Sequence, residues 1–457
     1  MVNDVLTVRD AEVDGVRVDV TLADGVVRRI VIAGSERPVS DAVLEAHGGA
    51  LLPGLHDHHV HLLAMAAAID SVPVGPGDVQ DAAGFGAALR SAAAGAASDE
   101  WIRAVGYHES VAGELDRYAL DAVAPGTPLR VQHRSGALWV LNSAALAAVG
   151  ADPGHDGRFL RADEWLRGRM PSRRLDLAAV GRRLASCGIT GVTDLTPTSD
   201  ESEVALLAAA VASGELQIGV TITGSADLPA AASPELRRGP VKVVVGDHAL
   251  PSLDDLLARF RAARSLGRAV AVHCVTREAL VLALVAWHEV GSAPGDRIEH
   301  GAVVPPEVFA DIAALGLTVV TQPSFVRERG DQYLTDVDVA DRPHLWRCRS
   351  LAEAGIGVAF GSDAPYGSID PWSVLRTAVD RRTLAGGVLG AGESLAAGDA
   401  LTRMLGAADA PTVPRSIVVG VRADLCLLDR PLAEMLAAPD VGAVAATLVG
   451  GAEVYRR

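Results

Sequence analysis

Lysine is nearly missing from this 457-residue chain: its 41 basic side chains include a single lysine, Lys242. Basic charge is scarce in total as well, since 57 acidic side chains leave a net charge of −16. That balance excludes the basic surface that nucleic acid requires and disfavours docking on an anionic membrane. Cysteine is also sparse. Cys187, Cys274, Cys348 and Cys426 are scattered without paired spacing, which excludes a disulfide framework or a structural zinc module. Long apolar runs are lacking too. The longest, near Leu280 to Trp287, is stopped by His288 and Glu289, far short of the roughly 20 residues of a membrane-spanning helix. The first residues show no basic start leading into an apolar core, so a reducing, cytoplasmic setting is expected.

Against this background the position of the one lysine is informative. It lies in Pro240-Val-Lys-Val-Val-Val-Gly-Asp247, a β-branched run that reads as a buried strand. Burial disfavours an ammonium. Arginine serves most surface roles of lysine but cannot act as a neutral amine. The position therefore suits an amine that loses its proton, or a strand-end lysine whose head reaches water.

Other polar residues close similar apolar runs: His273 in Ala269-Val-Ala-Val-His-Cys274, His300 in Arg297-Ile-Glu-His-Gly301, and Asp363 in Val358-Ala-Phe-Gly-Ser-Asp363. Upstream, Leu51-Leu-Pro-Gly-Leu-His-Asp-His-His-Val-His61 places four histidines within six positions. Asp57, His59 and His61 alternate at period 2 and are expected on one face of a strand, with His56 and His58 on the other. A His-x-His pair at a strand end is a good chelate for a divalent metal. Each residue alone also has a bland reading: His273 as a satisfied core histidine, Asp363 as an N-cap with Pro365 in the first turn.

Strand ends near Asp57, Asp194, Gly224, Val245, His273, His300, Gln322 and Asp363, separated by helical spacing such as Leu253–Leu266 and Pro306–Leu315, predict a (β/α)8 barrel with its site at the carboxyl ends of the strands. Residues 1–50 and 405–457 read as short strands, including Val16–Val20, Val26–Ile32 and Ser416–Val421, and predict one small β-sandwich built from both termini. The barrel then spans 51–69 and 173–404. About 130 residues between the first two barrel strands are too many for one helix, so 70–172 is expected as an inserted, cap-like lobe, with a strand at Trp101–Gly106.

These motifs resemble those of the metal-dependent amidohydrolase superfamily, and most closely the branch of amidohydrolase family 3 that contains N-substituted formamide deformylases. The resemblance runs through Pro53-Gly-Leu, the Asp-x-His-x-His strand, Gly188-Ile-Thr-Gly-Val-Thr-Asp194, the lysine strand, Arg297-Ile-Glu-His-Gly301, Gln322-Pro323 and Gly361-Ser-Asp-Ala-Pro365. It extends to Leu138-Trp-Val-Leu-Asn-Ser-Ala-Ala-Leu146 and to Gly420-Val-Arg-Ala-Asp-Leu425, where lysine is more usual at Arg422. It implies a centre of one or two divalent metals, zinc fitting the ligands best. His59, His61 and Asp363 would hold one and His273 and His300 a second. Lys242, carrying a CO2-derived carbamate, would bridge them. The implied reaction is hydrolysis of a C–N bond (amide, formamide or cyclic amide) of a small-molecule substrate by a metal-activated water, with Asp363 and Lys242 as catalytic groups. A homodimer is the implied assembly. The alternatives are a lyase or decarboxylase on the same barrel, or a binding protein that has lost its chemistry.

The chain departs from that branch in two places. His133-Arg-Ser-Gly-Ala137 stands where Arg-Asp-Gly-His is usual, and Gly106-Tyr-His-Glu109 where Gly-Trp-Asp is common. His108, His133, Arg134 and His248 are therefore candidates for substrate contact, together with Gln322.

Overall fold

The structure, a computed structural model, describes residues 5–37, 42–97, 100–171, 175–230, 233, 235–246 and 250–457. The chain divides into two compact units. One comprises Met1–Leu62 and Leu177–Arg457, the other Leu63–Asp176.

The larger unit contains an eight-stranded parallel sheet: β1 (Leu55–Val60), β2 (Ile189–Asp194), β3 (Gly219–Gly224), β4 (Leu236–Val244), β5 (Val270–Cys274), β6 (Arg297–His300), β7 (Thr318–Thr321) and β8 (Gly357–Phe360). Their spatial order is their chain order. The sheet curls back on itself. Val60 bridges Ala364 just past β8, the Asp363 amide donates to the His59 carbonyl at 2.7 Å, and the His61 amide donates to the Ala364 carbonyl at 2.9 Å. This is the (β/α)8 barrel expected from the sequence, with all eight strands where the polar strand ends placed them. Strands such as Thr318-Val-Val-Thr321 read as near-continuous apolar runs because a parallel barrel buries both faces.

The intervening helices carry their own start and stop signals. Leu253–Ser265 begins where the Ser252 hydroxyl accepts the Asp255 amide at 3.2 Å, with Asp254 and Asp255 in the first turn, where a carboxylate favours the positive end of the helix dipole. Arg277–Val290 begins on Thr276 and stops at Gly291, whose φ of 90° a side chain would resist. Its Leu280, Leu284 and Trp287 turn inward.

Both chain ends build two four-stranded sheets. One runs Val26–Ile32, Val16–Ala23, Leu6–Val13, Val43–Glu45; the other Ala452–Arg456, Val444–Val449, Leu425–Leu428, Leu51–Pro53. They share a core that includes Val8, Val20, Leu22, Leu425, Leu427 and Leu448. The strand expected at Ser416–Val421 does not form. Ile417 packs into the shared core, Val418 and Val419 are exposed, and the segment meets the first sheet through hydrogen bonds between Val27 and the backbone of Gly420 and Val421 and a lone bridge from Val26 to Arg422. The two valines, without a partner strand, have no sheet surface to pack on. The strand in this region is instead Ala410–Pro414.

The smaller unit has a five-stranded sheet, ordered Arg158–Leu160, Leu138–Leu141, Leu129–His133, Ile102–Tyr107, Val72–Pro73. Phe85 and Leu89 of helix Ala82–Gly95 pack on it with Ile102, Leu120, Leu129 and Val131. All four cysteines are buried, and none forms a disulfide among the described residues. Among the described residues no helix is long and apolar enough to cross a membrane.

One buried carboxylate ties barrel strands to outer helices. Asp296 Oδ1 accepts from the Val270 amide (2.8 Å) and Arg264 Nη1 (3.1 Å); Oδ2 accepts from Trp287 Nε1 and the Ala293 amide (2.9 Å each). Removing it strands several donors. We predict that Asp296→Ala costs about 3 kcal/mol of stability, and Asp296→Asn less. Chemical unfolding followed by Trp fluorescence checks this; an unmoved midpoint in the alanine variant would refute the role.

Candidate metal centre

At the carboxyl end of the barrel, β1, the segment after β8, and β4, β5 and β6 bring six polar groups together. His59, His61 and Asp363 each present a ligand atom, all within 4.8 Å of one another. His61 Nε2 lies 3.1 Å and His59 Nε2 3.4 Å from the same oxygen, Asp363 Oδ1. The His300 ring stands 4.7 Å from that of His59 and 4.6 Å from that of His273, centroid to centroid. Asp363 has a φ of 57°, and the next helix, Pro371–Asp380, is capped by Asp370. Asp363 is therefore not a helix cap.

The far nitrogens of three histidines are held. His59 Nδ1 meets Glu299 Oε2 at 2.6 Å, His61 Nδ1 meets Thr196 Oγ1 at 3.2 Å, and His300 Nδ1 meets Gln322 Oε1 at 2.9 Å. With Nδ1 so engaged, each Nε2 is the atom left for a ligand. His59 Nε2 is buried without a hydrogen-bond partner. Burial, with the nearby Lys242 charge, pushes His59 down to about 4; burial and His59 push His300 down to about 3. Both imidazoles are neutral near pH 7, the form that binds metal. Burial alone would raise the Asp363 carboxyl, but the hydrogen bond from His61 and the surrounding histidines outweigh it and hold the group ionised.

Lys242 lies within β4 rather than at its end, is 7% exposed, and its Nζ has no hydrogen-bond partner. Burial lowers its pKa to about 8, against the opposing pull of Glu299 and Asp363. A buried amine that sheds its proton near neutrality fits the reading of this position as a reactive neutral amine.

The single-face reading of β1 needs correction. Its pairing with β2 slips: Asp57 pairs with Val192 and Val60 with Asp194, so β1 carries one extra residue and the alternation breaks. Asp57 does not join the ligand cluster. Its Oδ1 accepts from the His59 amide (3.1 Å) and the Ser362 amide (2.9 Å), bracing β1 to β8, and burial raises it to about 6. His56 reaches Thr193 Oγ1 at 3.0 Å and packs on His58.

Of the substrate candidates, Gln322 is fully buried behind His300. His108, His133 and Arg134 belong to the smaller unit, where both histidines contact Glu109. His248 lies outside the described residues. The group that sequence reading did not single out is Glu299. It accepts from Arg297 Nε and, at 3.2 Å, Arg297 Nη2, while Arg297 Nη2 also donates to the His58 carbonyl at 2.5 Å. Only its place beside His300 in Arg-Ile-Glu-His signalled it.

Known proteins resemble this chain along most of its length. The model of the amidohydrolase family matches residues 42–455. N-substituted formamide deformylase of Arthrobacter pascens is 27% identical over 486 aligned positions, covering 88% of each chain. Among solved structures, an uncharacterized metal-dependent hydrolase of Pyrococcus horikoshii superposes with a TM-score of 0.75 at 19% identity over 99% of both chains. N-isopropylammelide isopropylaminohydrolase of Burkholderia multivorans gives 0.55 at 17% identity, over 99% of this chain and 98% of its own. At those identities the structures speak for the fold.

Two predictions follow from the site. Glu299→Gln keeps the volume but loses the charge that orients His59, and should weaken zinc binding about 10–100-fold; competition with a chromophoric chelator measures it, and unchanged affinity would remove Glu299 from the centre. In metal-free protein, labelling of Lys242 by a small amine-reactive reagent, resolved from the α-amine by peptide mapping, should rise with a midpoint near pH 8 rather than 10.5. The folded pKa is lowered, so the neutral amine appears at lower pH. A midpoint above 10 would contradict the burial argument.

Proposed function

Since this chain belongs to the amidohydrolase family and is a hydrolase, we propose that it hydrolyses a C–N bond outside peptides, in an amide, formamide or cyclic amide. The observation that carries this reading is the convergence of His59 Nε2, His61 Nε2 and Asp363 Oδ1 beside the unpartnered amine of Lys242.

In this reading His59, His61 and Asp363 would hold one divalent metal and His273 and His300 a second, with Lys242, carboxylated by CO2 on its neutral amine, as a further ligand. Nitrogen-rich ligation with carboxylate suits zinc. Such a centre lowers the pKa of water towards 7 and polarises a substrate carbonyl. Asp363, ionised and in reach of the centre, accepts a proton from the water nucleophile and returns it to the departing nitrogen. Glu299, Thr196 and Gln322 hold the imidazoles so that these groups stay aligned. The likeness to an N-substituted formamide deformylase makes N-formyl amines the first substrates to screen.

The test is a panel of N-substituted formamides, amides and cyclic amides with zinc-loaded protein, read as product mass. Release of amine and acid with uptake of one water supports the proposal; product formed without water uptake refutes it. Asp363→Asn should lower kcat by about 10²–10⁴ with the fold kept. Lys242→Ala should lose metal and activity, with partial return on adding short carboxylic acids or bicarbonate. Full activity in Lys242→Arg would overturn the carbamate.

A further inference from the structure

The smaller unit carries a second constellation of imidazole and carboxylate. Strands Ile102–Tyr107 and Leu129–His133 run parallel, with Tyr107 opposite His133. His108 follows the first strand and His133 ends the second; the pairing slips by one residue between Ala104 and Tyr107, and the two rings stand 5.7 Å apart, inclined by 34°. Both point Nε2 at one oxygen: Glu109 Oε2 is 3.2 Å from His133 Nε2 and 3.7 Å from His108 Nε2. One ligand atom from each of the three lies within 4.8 Å of the others.

The opposite nitrogens are anchored alike. His108 Nδ1 is 3.2 Å from the Ser110 amide and 2.9 Å from its hydroxyl; His133 Nδ1 is 3.1 Å from the Ser135 amide and 2.7 Å from its hydroxyl. This His-x-Ser unit, used twice, has two settings. Without a metal the amide donates to Nδ1, and the ring proton sits on Nε2 facing Glu109. A metal on Nε2 would require the ring proton on Nδ1, where the serine hydroxyl would accept it and the amide would lose its acceptor. The side chains are 15% (His108), 19% (His133) and 40% (Glu109) exposed, which leaves room for water to complete a coordination sphere.

We propose that His108, Glu109 and His133 form a metal site for zinc or a similar borderline divalent ion, with its remaining positions open to water or to a ligand donor atom. Two imidazoles with one carboxylate are a sufficient three-ligand set for an open site. None of these residues belongs to the barrel set, so the site stands or falls apart from the hydrolase reading.

The experiment uses the full chain. In His61→Ala/Asp363→Ala, which disables the barrel ligands, zinc is titrated against a chromophoric chelator, with and without His108→Ala/His133→Ala added. Loss of one equivalent on adding the second pair supports the site; unchanged stoichiometry and affinity overturn it. Ser110→Ala/Ser135→Ala, which removes the acceptors for Nδ1, should weaken that equivalent about 10–100-fold. The wild-type chain provides a check that needs no variant. Zinc should protect His108 and His133 from diethylpyrocarbonate, mapped by peptide mass; equal modification with and without zinc overturns the proposal.

Discussion

The buried pair of Arg297 and Glu299 is the constraint on which the barrel site depends. Glu299 is 0% exposed and Arg297 2%. Ionised groups so placed are costly unless each hydrogen-bonding position is filled, and here the filling does structural work. The carboxylate takes two donors from Arg297 and one from His59, while the guanidinium also reaches the His58 carbonyl. β6 pairs with β5 and β7, not with β1. The tie therefore runs between strands that share no backbone ladder, and it sets both the height and the ring orientation of His59. Bidentate pairing of this kind carries geometry as well as energy.

Burial, more than this pair, explains why Lys242 is not held fully charged. Glu299 and Asp363 favour its ammonium, but Arg297 and burial oppose it, and burial is the largest influence. The contrast with the chain's buried arginines is instructive. Arg381, wholly buried, donates to the carbonyls of Leu389 (3.1 Å), Trp346 (3.0 Å) and Leu345 (3.4 Å). Arg268 donates to the carbonyls of Ser225, Ala226, Gly239 and Pro240. Where this chain needs a buried cation to satisfy backbone, it uses the rigid guanidinium fork. Lys242 satisfies no such carbonyl. Its unpartnered nitrogen suits the proposed role of a neutral amine.

The barrel was legible because each strand is an apolar run closed by a polar residue, a local pattern that survives without knowledge of neighbours. Where reading went astray, the deciding partner was distant. The extra residue in β1 exists only relative to β2, so period-2 alternation put Asp57 with His59 and His61 when it braces Ser362 instead. Ser416–Val421 has strand propensity but meets the strand Val26–Ile32 only at its last residues, too briefly to form a ladder. Glu299 was not singled out because nothing beside it in sequence signals its role: its side chain serves a histidine 240 residues away.

What makes an imidazole a ligand is decided at its other nitrogen. In the barrel those partners differ in kind: a carboxylate on His59, a hydroxyl on His61, an amide oxygen on His300. An anionic acceptor draws the ring proton most strongly, so Glu299 fixes the His59 tautomer more firmly than Thr196 or Gln322 fixes that of its own histidine. The separations are 240, 135 and 22 residues, so this gradation is a property of the closed barrel and of no shorter segment. The histidines of the smaller unit follow the opposite rule. Their anchors sit two residues downstream, in His-Glu-Ser110 and His-Arg-Ser135, and the only long-range requirement is that two neighbouring strands keep register. A site made that way needs little more than its own sheet, whereas the barrel centre requires the first and last strands to meet.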